Sequence, residues 1–524
     1  MERVLLNISL ILILVYFYKI TRHGLHILQL ENYYIDRYAV WMKRYIKKVL
    51  NIKTIILLLI PIILFVINTE ISINIAFAVE IFGLLYLIIS TKREKEKKAF
   101  VVTARIKRIY TTYLIFFVVV AICSNLFDYK IVLSIVNVCA MVAYTFVYII
   151  SLINKPVEKS IRRGFCKRAQ KKLQDIPDLK VIGITGSYGK TSTKYIVNTI
   201  LSQKYNTLMT PESYNTTMGV VRTINEKLTP MHQLFICEMG AKYVGDIKEI
   251  TDIVGPTHGI VTAIGPQHLD TFKSLDNVRK TKLELVDSLP EDNGIAFVNW
   301  EDENIRNSKI TKNVVKFGLT KEADYYAENI NITEKGSSFD VVIPGKESIS
   351  IKTRLLGSLN ILNIVGAVAI ADKLGLTPEE IKVGAKYIRP VPHRLDLKQN
   401  PNGSIIIDDA YNSNNRGAKM ALEVLKSFEN KKRILITPGI VELGDKAVEI
   451  NQELGRNAAD SSDFIILVGE NQTVPIYNGI KEKGYPESQI YIAQNLQDAL
   501  SKMNEILTEN SVVLLENDLP DNYL

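Results

Sequence analysis

The chain has 524 residues, 47% of them hydrophobic and 23% charged, with a formal net charge of +9. That length suits about three domains. The positive charge gathers beside long apolar runs, which points to membrane orientation and away from nucleic-acid binding. The four cysteines, Cys123, Cys139, Cys166 and Cys237, share no metal-ligand spacing and read as unpaired and reduced.

Five apolar runs come first: Val4–Tyr18, Ile55–Ile67, Ile71–Ile89, Tyr113–Leu126 and Ile131–Ile153. A membrane span needs about 20 apolar residues. The third and fifth runs meet that length; the others reach it when their flanks are counted. Pro61, inside the second run, is tolerable in a membrane helix. Residues 21–53, 92–108 and 155–168 are rich in Lys and Arg, whereas the turns Asn68–Glu70 and Asp128–Lys130 are nearly free of positive charge. This asymmetry predicts an external N-terminus, two cytoplasmic basic loops and a cytoplasmic chain beyond position 155. No small-residue cleavage site follows the first run, so it reads as an uncleaved anchor and not as a signal peptide. Residues 1–155 are therefore expected to be an α-helical domain crossing the cell membrane about five times.

Beyond position 155 the pattern becomes that of an ordinary α/β protein. Val181-Ile182 reads as a buried strand and Thr193 to Leu201 as a helix. Between them runs Gly183-Ile184-Thr185-Gly186-Ser187-Tyr188-Gly189-Lys190-Thr191-Ser192. A glycine-rich turn from strand to helix aims several backbone N–H groups into one concavity, and the helix N-terminus adds partial positive charge. Lys190 is placed to reach the terminal phosphates, and the Thr191 hydroxyl to bind Mg²⁺. A nucleoside triphosphate is the expected ligand. Ile184 stands where the general G-x-x-x-x-G-K-[ST] pattern has its first glycine.

Further along, Asn215-Thr216 reads on its own as an Asx turn. The buried strand Phe235-Ile236-Cys237 ends in Glu238, and an acid at a strand end beside a phosphate loop is a candidate Mg²⁺ ligand. A second apolar strand, Gly259–Ile264, leads to His268. Lys280-Thr281-Lys282-Leu283-Glu284 is helical in pattern, and taken alone both lysines are solvated charges. A helix opening near Ser358 and running to Leu374 puts Asn360 and Asn363 on one face. After Arg394, strands are expected at Ile405–Ile407, Ile434–Thr437, Phe464–Val468 and Val512–Leu515. Strands alternating with helices imply a parallel sheet with right-handed crossovers.

The stretch Thr-Gly-Ser-x-Gly-Lys-Thr-Ser at 185–192 resembles the loop of the Mur ligases, which join a carboxylate to an amine using ATP. The resemblance covers roughly positions 178 to 524. It implies a central ATP-binding domain at 156–390 and a Rossmann-like C-terminal domain at 391–524. It implies nucleotide contacts from Gly186, Ser187, Gly189, Lys190, Thr191 and Ser192, and adenine contacts from Asn360 and Asn363. Arg394 then reaches the γ-phosphate and Asp409 the ribose. Thr191, Glu238, His268 and Lys282 hold Mg²⁺, with Lys282 carrying a carbamate formed from CO₂; that modification requires a neutral amine. Asn215 and Thr216 approach the γ-phosphate and the acyl end of the substrate, and Tyr411 with Asn412–Asn414 faces that substrate. Lys190, Lys282, His268 and Asn215 form the implied catalytic set.

The Asp-Asp-Ala-Tyr-Asn-Ser-Asn loop at 408–414 and the Glu-Leu-Gly turn at 442–444 resemble the branch that adds D-alanyl-D-alanine to a muramyl peptide in peptidoglycan precursor synthesis. This chain has Leu359 where the family usually has histidine, and Asn415 where it often has proline. Soluble members begin with a small domain that binds uridine diphosphate, and here the apolar runs occupy its place. The open alternatives are a ligase of this fold acting on a lipid-linked wall precursor or another carboxylate, and a membrane-anchored nucleotide-binding scaffold. Other wall-synthesis enzymes are conceivable partners.

Overall fold

The structure, a computed structural model, describes residues 2–31, 33–91, 99–126, 128–333, 335–411, 414–441 and 443–518, without the side chains of residues 123–125 and 270. The basic run 92–98, Asn412, Ser413, Glu442 and the side chains of Cys123 and Asp270 lie outside the described residues. The chain divides into two compact units between Arg163 and Gly164. The boundary expected at 155 lies inside the helix Ala143–Gln174.

In the first unit, every described apolar run is helical: Glu2–Leu30, Ile52–Ile67, Glu70–Ser90, Ala104–Leu126 and Tyr129–Met141. Local chemistry starts several of them. Asn51 and Asp128 cap helix N-termini, and Thr69 forms a reciprocal capping box with Ser72. Lys130 donates to Asn68 Oδ1 at 2.6 Å, and Tyr129 to Glu2 Oε2 at 3.0 Å, so three helix starts meet at one end. The opposite end holds a bidentate Arg108–Glu158 pair, at 2.7 and 2.9 Å. Among the described residues, three helices are long and apolar enough to cross a membrane: Glu2–Leu30, Ile46–Ile67 and Glu70–Ser90.

The run Ile131–Ile153, expected to be one span, is instead two helices bent by 92° around Val142. Counted as one broken span, that pair raises the number to four. No Pro or Gly sits at the break. The Tyr38 hydroxyl donates to the Tyr144 carbonyl just beyond it at 3.1 Å, and a side chain entering the helical ladder is a recognised cause of bending.

The second unit carries two sheets. The first contains β1 (Lys180–Thr185), β2 (Thr207–Met209), β3 (Leu234–Glu238), β4 (His258–Val261), β5 (Ile295–Asn299), β6 (Val314–Gly318), β7 (Tyr325–Thr333), β8 (Gly336–Val342) and β9 (Ile349–Thr353). Its order is β2-β3-β1-β4-β5-β6-β7-β8-β9. The strands of β2 through β7 are parallel, and β1, β3 and β4 are buried almost throughout, as a sheet covered on both faces requires. One face packs Ile182, Ile184 and Ile260 with Ile196, Ile200 and the apolar helix Ser358–Lys373; the other packs Val181, Phe235 and Val261 with Val221, Ile250 and Leu285.

The second sheet contains β10 (Asp396–Gln399), β11 (Ile405–Asp409), β12 (Lys432–Thr437), β13 (Phe464–Val468), β14 (Ile490–Ala493) and β15 (Ser511–Glu516), in the order β10-β11-β15-β12-β13-β14. The strands expected at 405–407, 434–437, 464–468 and 512–515 pair in parallel, as their alternation with helices implied, and the antiparallel strands lie outside them. β8 and β9 add antiparallel strands to the first sheet, and β10 pairs antiparallel with β11. Those connections are short turns, too short for a crossover helix.

Candidate active site

β1 lies between β3 and β4, so the loops that leave these three strands open at one edge, where the strand order reverses and ligands of open α/β sheets bind. The phosphate loop follows β1. Gly189 has φ +79° and opens the helix Lys190–Leu201; a Cβ there would sit 3.1 Å from Asn363 Oδ1. A Cβ on Gly186 would lie 2.1 Å from Thr262 Oγ1. The loop is clamped to the segment beyond β4: Ser187 N–H donates to Ala263 O at 2.7 Å, Ser187 Oγ to Gly265 O at 3.0 Å, and Thr262 Oγ1 to Tyr188 O.

Lys190 curls over this loop and donates to Gly186 O at 2.7 Å and Ser187 O at 3.2 Å. Enclosure lowers its pKa to about 8; Glu238 opposes that shift and Arg394 adds to it. Glu238, at the end of β3, is fully buried. Its Oε1 accepts from Thr191 Oγ1 at 3.1 Å and from Asn215 Nδ2 at 2.9 Å. Asn215 is held there by its carbonyl, which accepts from Gly240 N–H at 2.7 Å. A Cβ on Gly240 would meet Asn215 Cγ at 2.7 Å, so the close approach needs glycine. Thr191, Asn215, Glu238 and Lys190 thus stand together.

Lys282 is buried, whereas Lys280 is exposed and pairs with Asp276 at 2.9 Å. Burial, then the charge of Lys190, pulls the Lys282 pKa well below the usual lysine value, against Asp246 and Glu284. Glu284 accepts from Gly245 N–H and Lys248 N–H, both at 2.8 Å, at the start of the helix Asp246–Val254. His268, with φ +52°, precedes the short helix Leu269–Phe272.

The C-terminal residues meet this edge. The Arg394 guanidinium lies 4.7 Å over the Tyr411 ring, and the Tyr411 hydroxyl bonds Ser213 Oγ, four residues past β2. Arg416 pairs with the buried Asp302 at 3.5 Å, and Asp302 also accepts from Ile264 N–H at 3.1 Å. Asp409 accepts from Leu395 N–H at 3.1 Å and faces Glu516 across the β11–β15 register; burial raises its pKa. Asn363 lies beside Gly189, while Asn360 donates to Leu356 O, just ahead of its own helix, at 2.8 Å. Asn414 caps the helix Asn415–Lys426, and Asn415 takes the first helical position, where proline is also well suited.

Sequence reasoning missed three residues here. Lys194 is fully buried and pairs with Glu238 Oε2 at 3.0 Å, and it also donates to Glu212 O. Burial lowers its pKa, against the pull of Glu238. Thr210 Oγ1 accepts from Glu238 N–H at 3.1 Å. Asp302 bridges to Arg416. Their signal was faint: Lys194 falls one turn after Lys190 on the same helix face.

No three His, Cys, Asp or Glu side chains gather as a metal cluster among the described residues. The Thr191 hydroxyl and Glu238 carboxylate, 3.1 Å apart, nevertheless form the oxygen donor pair that suits Mg²⁺, with phosphate oxygens completing such a site. Residues 184–371 match the Mur ligase middle domain, and residues 393–516 the glutamate ligase domain of Mur ligases. The chain is 30% identical over 361 residues to the UDP-N-acetylmuramoyl-tripeptide--D-alanyl-D-alanine ligase of Escherichia coli (strain K12), covering 68% of this chain and 79% of that one. The enzyme of that name from Bacillus subtilis (strain 168) is 28% identical, over 64% and 72% of the two chains. A crystal structure of MurF from Acinetobacter baumannii superposes with a TM-score of 0.62 at 27% identity, over 68% of this chain and 77% of that one. The chain belongs to the Mur ligase family.

Proposed function

We propose that this protein is an ATP-dependent ligase that joins the terminal carboxylate of a UDP-linked muramyl tripeptide to D-alanyl-D-alanine in peptidoglycan precursor synthesis. The observation that carries this reading is the junction of Lys190, Thr191, Asn215 and Glu238 at the sheet's switch point, in a chain related to enzymes of that name. Lys190 and Arg394 neutralise the phosphates while the substrate carboxylate attacks the γ-phosphorus, giving an acyl phosphate and ADP. The amine of the dipeptide then attacks the acyl carbon and expels phosphate. The protein positions reactants and stabilises charge. Asn215 orients the acyl end, and Asn360, Asn363 and Asp409 orient the nucleoside. Mg²⁺ would be held by Thr191 and Glu238, with His268 and a carbamylated Lys282, and would supply charge neutralisation at the phosphates. The buried Lys282, with its depressed pKa, suits carbamylation better than the exposed Lys280.

The N-terminal unit, on this reading, is a multi-pass membrane domain of about five spans with an external N-terminus, and the ligase faces the cytoplasm. Three apolar helices of spanning length, with the bent pair Tyr129–Met141 and Ala143–Gln174 as a fourth span, support a multi-pass domain; the fifth span of this reading is the helix Ala104–Leu126, and the charge asymmetry of the loops gives the orientation. A reporter fused after Asp128 is expected to read as external and one after Lys97 as cytoplasmic; the reverse pattern overturns the topology. The full chain in membranes, given ATP, D-alanyl-D-alanine and either UDP-linked or lipid-linked muramyl tripeptide, is expected to turn over the UDP-linked substrate. Turnover of the lipid-linked one alone reassigns the acceptor.

A further inference from the structure

Lys194 has no place in the chemistry described so far, yet it is buried in the middle of the site. Its ammonium pairs with Glu238 Oε2 at 3.0 Å and donates to the Glu212 carbonyl. The other carboxylate oxygen of Glu238 accepts from Thr191 and Asn215. Glu212 has φ +43°, an uncommon conformation for a residue with a side chain, and it lies three positions before Asn215. The Glu238 N–H is bound by Thr210, and the Asn215 carbonyl by Gly240. One ammonium therefore ties three things together: the phosphate-loop helix, the carboxylate that suits the metal, and the loop 210–215 that carries Asn215. A buried ion pair of this kind adds little stability over an apolar replacement. A fixed positive charge beside a metal carboxylate does have an electrostatic consequence. It leaves Glu238 neutralised, and a divalent cation arriving there meets a like charge at close range.

We infer that Lys194 is a positioning residue that acts as the resident counter-ion of Glu238, so that a divalent cation enters the site only together with the negative charge of the nucleotide phosphates. This rests on the reading of Thr191 and Glu238 as the metal site. The pair also holds Asn215 in place before loading, through Glu212 on one side and Glu238 on the other.

The test is Mn²⁺ binding to the purified full chain, followed by electron paramagnetic resonance with and without the non-hydrolysable analogue of ATP. The unsubstituted protein is expected to bind Mn²⁺ weakly alone and much more tightly with nucleotide. Lys194→Met is expected to bind Mn²⁺ without nucleotide at least about tenfold more tightly, because the charge paired with Glu238 Oε2 is gone while Lys190 and Arg394 stay in both proteins. Lys194→Arg keeps the charge and is expected to keep the weak nucleotide-free binding. If Lys194→Met does not fold, Lys194→Gln replaces it, being neutral and still able to donate to Glu212 O. A folded neutral variant whose nucleotide-free affinity is unchanged overturns the inference, as does an arginine variant that binds as tightly as the neutral one. Failure of the unsubstituted protein to bind Mn²⁺ even with nucleotide overturns the metal-site reading itself, and so separates the two.

Discussion

The two units of this protein differ most at their surfaces and in how much charge they bury. The helical unit turns Val66, Ile71, Phe82 and Ile89 outward, each more than 70% exposed, and its interior is mainly aromatic and aliphatic, with Tyr38, Phe77 and Leu84 fully enclosed beside one buried carboxylate, Glu80. The ligase unit encloses its apolar strands and, at their ends, buries Lys194, Glu238 and Lys282. Large exposed apolar surface is costly in water and normal in lipid. Buried charge is costly anywhere and is kept where it is paired or used. The contrast teaches that the first unit is shaped by its surroundings and the second by its chemistry. Substitutions of equal size should therefore read out differently in the two.

The largest effect is expected at the centre of the ligase unit. Lys190→Ala removes the charge aimed at the transferred phosphoryl group and should lower kcat by on the order of 10²–10³, about 3–4 kcal/mol of transition-state stabilisation. Near-normal turnover by a folded variant would break the assignment of chemistry to this edge of the sheet. Lys282→Ala should lose on the order of 10² in rate, as removal of an electrostatic group does, and a small carboxylic acid in the assay should restore part of it by standing in for the carbamate. An inert Lys282→Ala that no acid rescues would leave Lys282 as a structural residue.

A third effect concerns stability and pH. His258, at the start of β4, is buried, bonds Thr257 Oγ1 at 2.9 Å, and has its pKa lowered to about 4 by burial and then by Lys180. Between pH 6.5 and 4 the unfolded chain holds a proton there that the folded chain refuses. Stability is thus complete above pH 6.5 and falls as the pH drops toward 4, by up to about 3 kcal/mol. Denaturant titrations of the ligase transition across this range should show the loss, and His258→Gln should flatten it. An equal pH slope in both proteins would place the acid sensitivity elsewhere.

Legibility in the sequence followed the same division between backbone demand and packing. Gly186 and Gly189 could be read because their backbone needs glycine, and Glu238 because it ends an apolar strand. Lys282 and Asn215 were legible only through family resemblance, since a helical lysine and an Asx turn look ordinary alone. Lys194 was not legible: on a helix, four residues from Lys190, it passes for a solvated charge until β3 and the 210–215 segment close over it. The antiparallel strands β7 to β9 carried a signal that was overlooked, with Tyr325 and Ala327, Phe339 and Val341, and Ile349 and Ile351 alternating inward. The bend at Val142 had none, because no Pro or Gly marks it and its partner, Tyr38, is far away in sequence.

The smallest effect is the one that tests the contrast most directly. Every nucleotide contact assigned above lies beyond position 180, and the ligase unit has its own closed cores on both faces of its first sheet. A chain starting at Gly164 should therefore bind ATP with a dissociation constant within about twofold of the full protein, a difference of under about 0.5 kcal/mol. Its turnover of the soluble UDP-linked substrate should be unchanged, and only turnover that draws on membrane-bound precursors or enzymes should fall, for another reason. Tethering raises the effective concentration of enzyme near membrane-bound partners, and truncation removes that gain without touching a contact in the site. Isothermal titration with ATP, beside turnover measured in solution and on vesicles, separates the two quantities. A tenfold loss of ATP affinity in a folded truncated chain would mean that the helical unit shapes the nucleotide site. Equal turnover in solution and on vesicles for both chains would mean that it serves only as an anchor.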